Sequence, residues 1–148
     1  MIGQSALLAG CGGNEPAARE EFERLERALV AYGQAPPDER GDRLETVRAM
    51  EISSQPVQRV REICISAYRE LDRALAGQRE ARKRAEMLEI EVAKVATGSA
   101  DASAELDRMH REALSSVGRV DAALDRAEAR LEDCQRARNS LRRELEEN

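Results

Sequence analysis

The chain has 148 residues, a length that suits one domain. Aromatic residues make up 2% of the chain and charged residues 36%, which excludes a thick globular core packed with bulky side chains. The formal net charge is −5, which argues against nucleic acid as the main partner, because phosphate binding needs a basic face. A composition dominated by Ala, Leu, Arg and Glu is typical of long helices and coiled coils.

The N-terminal segment carries the sequence Leu8-Ala9-Gly10-Cys11. This tetrapeptide resembles the lipobox of bacterial lipoproteins. The resemblance implies that Cys11 receives a diacylglycerol anchor and that residues 1–14 form a signal remnant and tether. It also implies a location on the periplasmic side of the membrane. Because Gly12 rather than Asp follows Cys11, the resemblance favours the outer membrane.

Residues 15–148 are predicted to form one helical domain, which begins with two shorter helices. The first helix is expected over residues 16–32, because its apolar residues are spaced alternately by four and three and so share one face: Ala18, Phe22, Leu25, Leu29 and Tyr32. Gly33 is expected to end this helix, and Pro36-Pro37 prevents its continuation. A short helix is expected over 42–52, followed by a helix cap at Ser53-Ser54.

Two long helices are predicted over residues 56–96 and 102–147. The first carries a heptad seam in which eleven of twelve positions are apolar or Cys: Val57, Val60, Cys64, Ala67, Leu71, Ala74, Gln78, Ala81, Ala85, Leu88, Val92 and Val95. The second carries its own seam: Ser103, Leu106, His110, Ala113, Val117, Val120, Leu124, Ala127, Leu131, Cys134, Arg138, Leu141 and Leu145. Turn residues at 97–101 separate the seams, which predicts an all-α fold: a long antiparallel coiled-coil hairpin with the first helix packed at its base.

The position of the turn predicts the register of the hairpin. Cys64 and Cys134 each lie 35 residues from Ser99, so they should face each other. Three interpretations of this pair are a disulfide, a metal site and two buried thiols. The facing register favours the disulfide, which also suits an oxidising periplasm. A metal site is not expected, because CxxC spacings are missing and His110, the only histidine, is 24 residues from Cys134.

Catalytic residues and cofactors are not predicted, because His110 is expected to pack in the seam opposite Leu88 and a thin hairpin lacks a concave pocket. Two apolar groups remain as candidates for partner binding. One is a flank beside the cysteines that the first helix is expected to cover: Ile63, Ile65, Tyr68 and Leu75. The other is the turn end of the hairpin, where a partner or a second copy of the chain would bind: Met87, Ile90, Met109 and Leu114.

These features predict a non-enzymatic, lipid-anchored structural or adaptor protein of the bacterial cell envelope. Its expected partners are the membrane, through the lipid, and another envelope protein. Two alternatives remain open. A periplasmic holdase-type chaperone would expose apolar surface along both helices. A cytosolic coiled-coil oligomer would have an accidental lipobox and three free thiols.

Overall fold

A computed structural model of the protein describes residues 15–96 and 102–147. It has four helices: α1 over Glu15–Gln34, α2 over Arg40–Ala49, α3 over Gln55–Val95 and α4 over Ala102–Glu147. The predicted all-α class and the predicted antiparallel hairpin of α3 and α4 are confirmed. The segment predicted to form the turn, residues 97–101, lies outside the described residues, as do the lipobox and tether at residues 1–14.

The helix boundaries follow the sequence closely, except at the end of the first helix and at both ends of the second, which begins at Arg40 instead of residue 42. The first helix continues past Gly33 to Gln34, and the amide of Ala35 still donates to the carbonyl of Tyr32 at 3.1 Å. Pro36, rather than Gly33, therefore marks its effective end. The second helix ends at Ala49 instead of residue 52, because Met50 has an extended backbone (ψ 128°).

The residues divide into two compact units. Of the described residues, one unit contains 15–61 together with 139–147, and the other contains 62–96 and 102–138. The first unit thus combines α1 and α2 with the beginning of α3 and the end of α4. The shorter N-terminal helices accordingly pack at the base of the hairpin, where α3 starts and α4 finishes.

The core of this first unit is built on the predicted apolar face of α1. Phe22, Leu25, Leu29 and Tyr32 are each at most 5% exposed. Burial of a leucine side chain stabilises a fold by roughly 1.5–3 kcal/mol. The same core contains residues from all three remaining helices and from the segment before α3: Leu44, Val47, Ile52, Val57, Val60 and Leu141.

The second unit is the pair of long helices itself. Its fully covered positions are mostly small side chains or cysteines: Cys64, Ala67, Ala74, Ala127 and Cys134. Small residues at these positions allow the two helices to approach closely. At Gly77 an added Cβ would lie 3.7 Å from Cγ2 of Val120, which shows how near α4 comes to the backbone of α3.

Near the end of α3 and the beginning of α4, the buried residues are not all those of the predicted seam. The expectation that Val92, Val117 and His110 pack within the seam is wrong, because Val92 is 46% and Val117 48% exposed and His110 is also exposed. Ser116 is buried in place of Val117. α4 comes close to α3 at Gly77, where Val120 lies 3.7 Å from the position of an added Cβ, while the polar side chain of the adjacent Gln78 is exposed.

Candidate functional site

The predicted disulfide is present between Cys64 of α3 and Cys134 of α4. The Cα atoms lie 4.8 Å apart although 70 residues separate them in the sequence. Both side chains are essentially inaccessible to solvent, at 0% and 2% exposure. Such a bond is typical of proteins in oxidising extracytoplasmic compartments and suggests such a compartment for this chain.

The apolar flank beside the disulfide is largely covered. Ile65 is 7% exposed, and Ile63, Tyr68 and Leu75 are intermediate. This covering argues against the flank as a free binding surface.

The four predicted partner-binding residues differ in their exposure. Met87 is 59%, Ile90 55% and Leu114 59% exposed, whereas Met109 is partly covered. Met109 therefore contributes to the helix contact more than to a free surface.

The exposed residues also lie on different helix faces. Met87 and Ile90 occupy one row of α3 with Lys83 and Lys94, at spacings of four, three and four. Leu114 instead shares a row of α4 with His110 and Val117. The predicted tip is thus split into two separate surfaces by helical geometry.

Sequence reasoning missed two exposed residues at this end, Val92 and Val117, because their heptad positions predicted burial. A signal for their exposure was available in the sequence. Gln78 occupies the same heptad column as Val92, and a polar residue in an apolar seam marks a position where the seam is weak.

Several charged side chains of the hairpin form surface ion pairs within one helix. Arg108 is bracketed by Glu105 and Glu112, with the Arg108–Glu112 distance 2.8 Å. The hydrogen bond from Arg108 to Glu105 outweighs the opposing effect of desolvation and lowers the pKa of that carboxyl. Exposed pairs of this kind contribute little to stability and keep the helix surface solvated.

A buried carboxylate joins α1 to the start of α3 in the first unit. Oε1 of Glu21 accepts hydrogen bonds from the amide of Ser53 at 2.9 Å and from its hydroxyl at 2.6 Å, and Oε2 accepts from the amide of Ser54 at 2.9 Å. Burial alone would raise the pKa of Glu21, but these hydrogen bonds and the nearby charge of Arg24 outweigh it and lower the pKa. The predicted cap at Ser53-Ser54 is therefore completed by a carboxylate from another helix.

The same unit ties α1 to the end of α4. Arg142 donates to Glu26 at 2.7 Å, and Arg19 donates to the carbonyl of Leu145. Arg24 also donates to the carbonyl of Glu51 at 3.0 Å. These polar contacts hold α1 against the end of α4 and the segment that precedes α3.

Within residues 15–96 and 102–147, no group of three or more His, Cys, Asp or Glu side chains is arranged to hold a metal ion. In the same part of the chain, none of the helices combines the length and the hydropathy needed to cross a bilayer. Comparison with known proteins adds no relative: the chain matches no protein-family model, no curated protein and no solved structure.

Proposed function

We propose that this protein is a lipid-anchored structural or adaptor protein of the bacterial cell envelope, located on the periplasmic side and favouring the outer membrane. Two observations support the location. Leu8-Ala9-Gly10-Cys11 resembles a lipobox, and the Cys64–Cys134 disulfide suits an oxidising compartment. The same disulfide argues against the cytosolic alternative, which would leave these two thiols free.

The observation that carries the adaptor role is the exposed apolar row of Met87 and Ile90. Both side chains are more than half exposed on a helix whose other outward positions are mostly charged or Ala. Large apolar side chains clustered on a solvated helix are typical of surfaces that bind another protein. The proposed partner is a second envelope protein that presents an apolar groove to this row.

Anchoring is tested with a Cys11→Ala variant of the full chain in bacterial cells. The wild-type protein should carry a lipid-modified mass and sediment with membranes, whereas the variant should be released into the soluble fraction. The matched control is the Cys64→Ala/Cys134→Ala double variant, which should stay with the membranes because its lipobox is intact. A wild-type protein without lipid and equally soluble would overturn the anchoring proposal.

Partner binding is tested by placing a photo-crosslinking residue at position 87 in cells. A captured envelope protein that is lost on Ile90→Glu substitution would support the adaptor role. The control is a crosslinking residue at exposed position 79, outside this row. Capture that is unaffected by Ile90→Glu would contradict the proposal.

A holdase-type chaperone is the second candidate function. It is favoured by the exposed apolar side chains on both helices of the hairpin, which include Val92, Leu114 and Val117. A holdase should suppress aggregation of an unfolding client at stoichiometric amounts. If the protein leaves the aggregation rate unchanged while the Ile90-dependent crosslink persists, the adaptor role is favoured.

A further inference from the structure

The chain carries three cysteines, of which two form the disulfide. In the folded protein the sulfur of Cys64 is bonded to that of Cys134, so neither can bond to Cys11. Cys11 lies outside the described residues, and the lipobox resemblance makes its sulfur the acceptor of a diacylglyceryl group. The order of lipidation and oxidation therefore decides whether Cys11 still has a free thiol when the disulfide forms.

The disulfide lies where an oxidant cannot reach it once the two long helices have closed. Both cysteines are buried, and so are Ile65 and Ala67 beside Cys64. In thiol–disulfide exchange a thiolate must attack a sulfur of the oxidant directly, so the rate depends on access to that thiolate. A closed hairpin with reduced cysteines is therefore a poor substrate for oxidation. The bond must form while α3 and α4 are still apart.

In such an open chain, the pairing of three thiols follows the lengths of the loops that they close. Cys11 and Cys64 are 53 positions apart, and Cys11 and Cys134 are 123 positions apart, whereas the native pair is separated by 70. Because closure of a flexible loop becomes less probable roughly as the −3/2 power of its length, the native pair would form in only about a third of the chains. Cys11–Cys64 would form in about half of them. A free Cys11 thiol would thus misdirect most chains.

We propose that Cys11 is lipidated before Cys64 and Cys134 are oxidised, and that lipidation thereby ensures their pairing; this inference rests on the proposed lipid anchor. In the first reaction, the Cys11 sulfur forms a C–S bond to the diacylglyceryl carbon of a phospholipid. The C–O bond to the phosphate breaks, and the headgroup phosphate leaves with the thiol proton. The resulting thioether takes no part in disulfide exchange, so two thiols remain and a single intrachain pairing is possible.

The second reaction is a two-electron oxidation by a disulfide-bonded protein of the same compartment. One thiolate of the pair attacks the oxidant and forms a mixed disulfide, and the other thiolate then displaces the oxidant's sulfur. Two electrons and two protons pass to the oxidant, which leaves as a dithiol. Closure of α3 on α4 then covers the new bond. S-diacylglyceryl transfer is thus the class of reaction that supplies the two-thiol substrate of this oxidation.

The pairing is tested in solution with the full chain without lipid. The chain is unfolded, reduced and diluted into native buffer with a protein disulfide as oxidant; the matched control is Cys11→Ser, which has the same length and two thiols. Acid quenching stops the exchange early, because uncatalysed disulfide rearrangement takes minutes to hours, and non-reducing peptide mapping gives the products. The share of Cys64–Cys134 should be about threefold lower than in the control, with Cys11–Cys64 as the main alternative. Equal shares in both proteins would show that folding alone directs the pairing and would overturn the proposal.

The role of access is tested on the oxidised Cys11→Ser protein. Dithiothreitol should reduce its disulfide at least about tenfold more slowly in native buffer than in urea, because the folded hairpin covers both sulfurs. Equal rates would mean that the closed hairpin admits a thiol reagent, and oxidation would then not have to precede closure.

The order of the two reactions is tested in cells on the pulse-labelled wild-type protein. Intact mass reports the lipid, and non-reducing peptide mapping reports the disulfide. Chains with the Cys64–Cys134 bond should already carry the lipid at the earliest times. Bonded chains that gain the lipid later would overturn the order of reactions while leaving the anchor intact. A wild-type protein that never carries lipid would overturn the anchor and this inference with it.

Discussion

Cys64 of α3 and Cys134 of α4 lie 4.8 Å apart between their Cα atoms, and each is 35 residues along the chain from Ser99. The bond closes a loop spanning 70 positions of the sequence. In the chain-entropy account, such a crosslink stabilises the fold by restricting the unfolded chain rather than by adding packing.

Replacing both cysteines with alanine should therefore lower the free energy of unfolding by up to about 4 kcal/mol. Helix content should stay high, because Ala favours helices and already occupies the neighbouring covered positions 67, 74 and 127. Urea denaturation followed by circular dichroism measures the loss. The Cys11→Ala variant is the control and should unfold like the wild type. If non-reducing peptide mapping of the wild-type protein finds Cys64 and Cys134 fully alkylatable, the disulfide is absent and this prediction fails.

The Glu21 carboxylate should make the stability of the first unit depend on pH. Its pKa in the folded chain lies below the ordinary value of 4.5, so its stabilising effect is complete above pH 4.5 and is lost as the pH falls through the lowered folded pKa. Replacing Glu21 with Gln removes the charge and should cost about 1–3 kcal/mol at pH 7, because Ser53 and Ser54 lose a charged acceptor.

The test for Glu21 compares Glu21→Gln with the wild type by urea denaturation at pH 7 and at several values below 4.5. The difference between the two proteins should shrink towards acid pH, where the wild-type carboxyl becomes protonated. Glu23→Gln, at an exposed position of the same helix, is the control and should have little effect. A difference that stays constant with pH would show that the charge of Glu21 is unimportant.

Gly118 offers a stabilising substitution. It lies inside α4, is exposed, and a Cβ built there meets no atom within 4 Å. Gly118→Ala should therefore raise the free energy of unfolding by about 0.5–1 kcal/mol, because Gly is a poor helix former and Ala the best. Thermal unfolding measures this as an increase in Tm. Ala122→Gly, one turn later in the same helix, should produce a decrease of similar size; unchanged Tm in both variants would contradict the expectation.

Ile90→Glu should leave the stability of the protein nearly unchanged. The side chain is 55% exposed, and substitutions at such positions usually change the free energy of unfolding by no more than about 0.5 kcal/mol. Leu88→Glu, two residues earlier at a partly covered position, is the matched comparison and should lower Tm clearly. A large loss of Tm for Ile90→Glu would show that position 90 belongs to a core or to a tight interface.

The sequence by itself determined the helices and their order, and it predicted that Cys64 and Cys134 face each other, with a disulfide as the favoured interpretation. Alternating three- and four-residue spacings of apolar residues specify helix faces, and Pro36 and the 97–101 segment interrupt them. Because both cysteines lie on seams at equal distance from the turn, the register followed from arithmetic on residue numbers. These predictions depend only on the spacing of residues along the chain, so they can be made without knowing how the helices pack.

Only the tertiary structure decided which side of each seam is covered. Heptad spacing treats Val92 and Val117 as equivalent to Cys64 and Cys134, yet the first two are nearly half exposed and the last two are buried. The outcome depends on how closely and in what orientation the two helices approach each other, which is set by the sizes of facing side chains such as Gly77 and Val120. The sequence also did not predict that Glu21 accepts the hydrogen bond from Ser53. Glu21 is 32 residues away and reaches Ser53 only because of the way α1 packs.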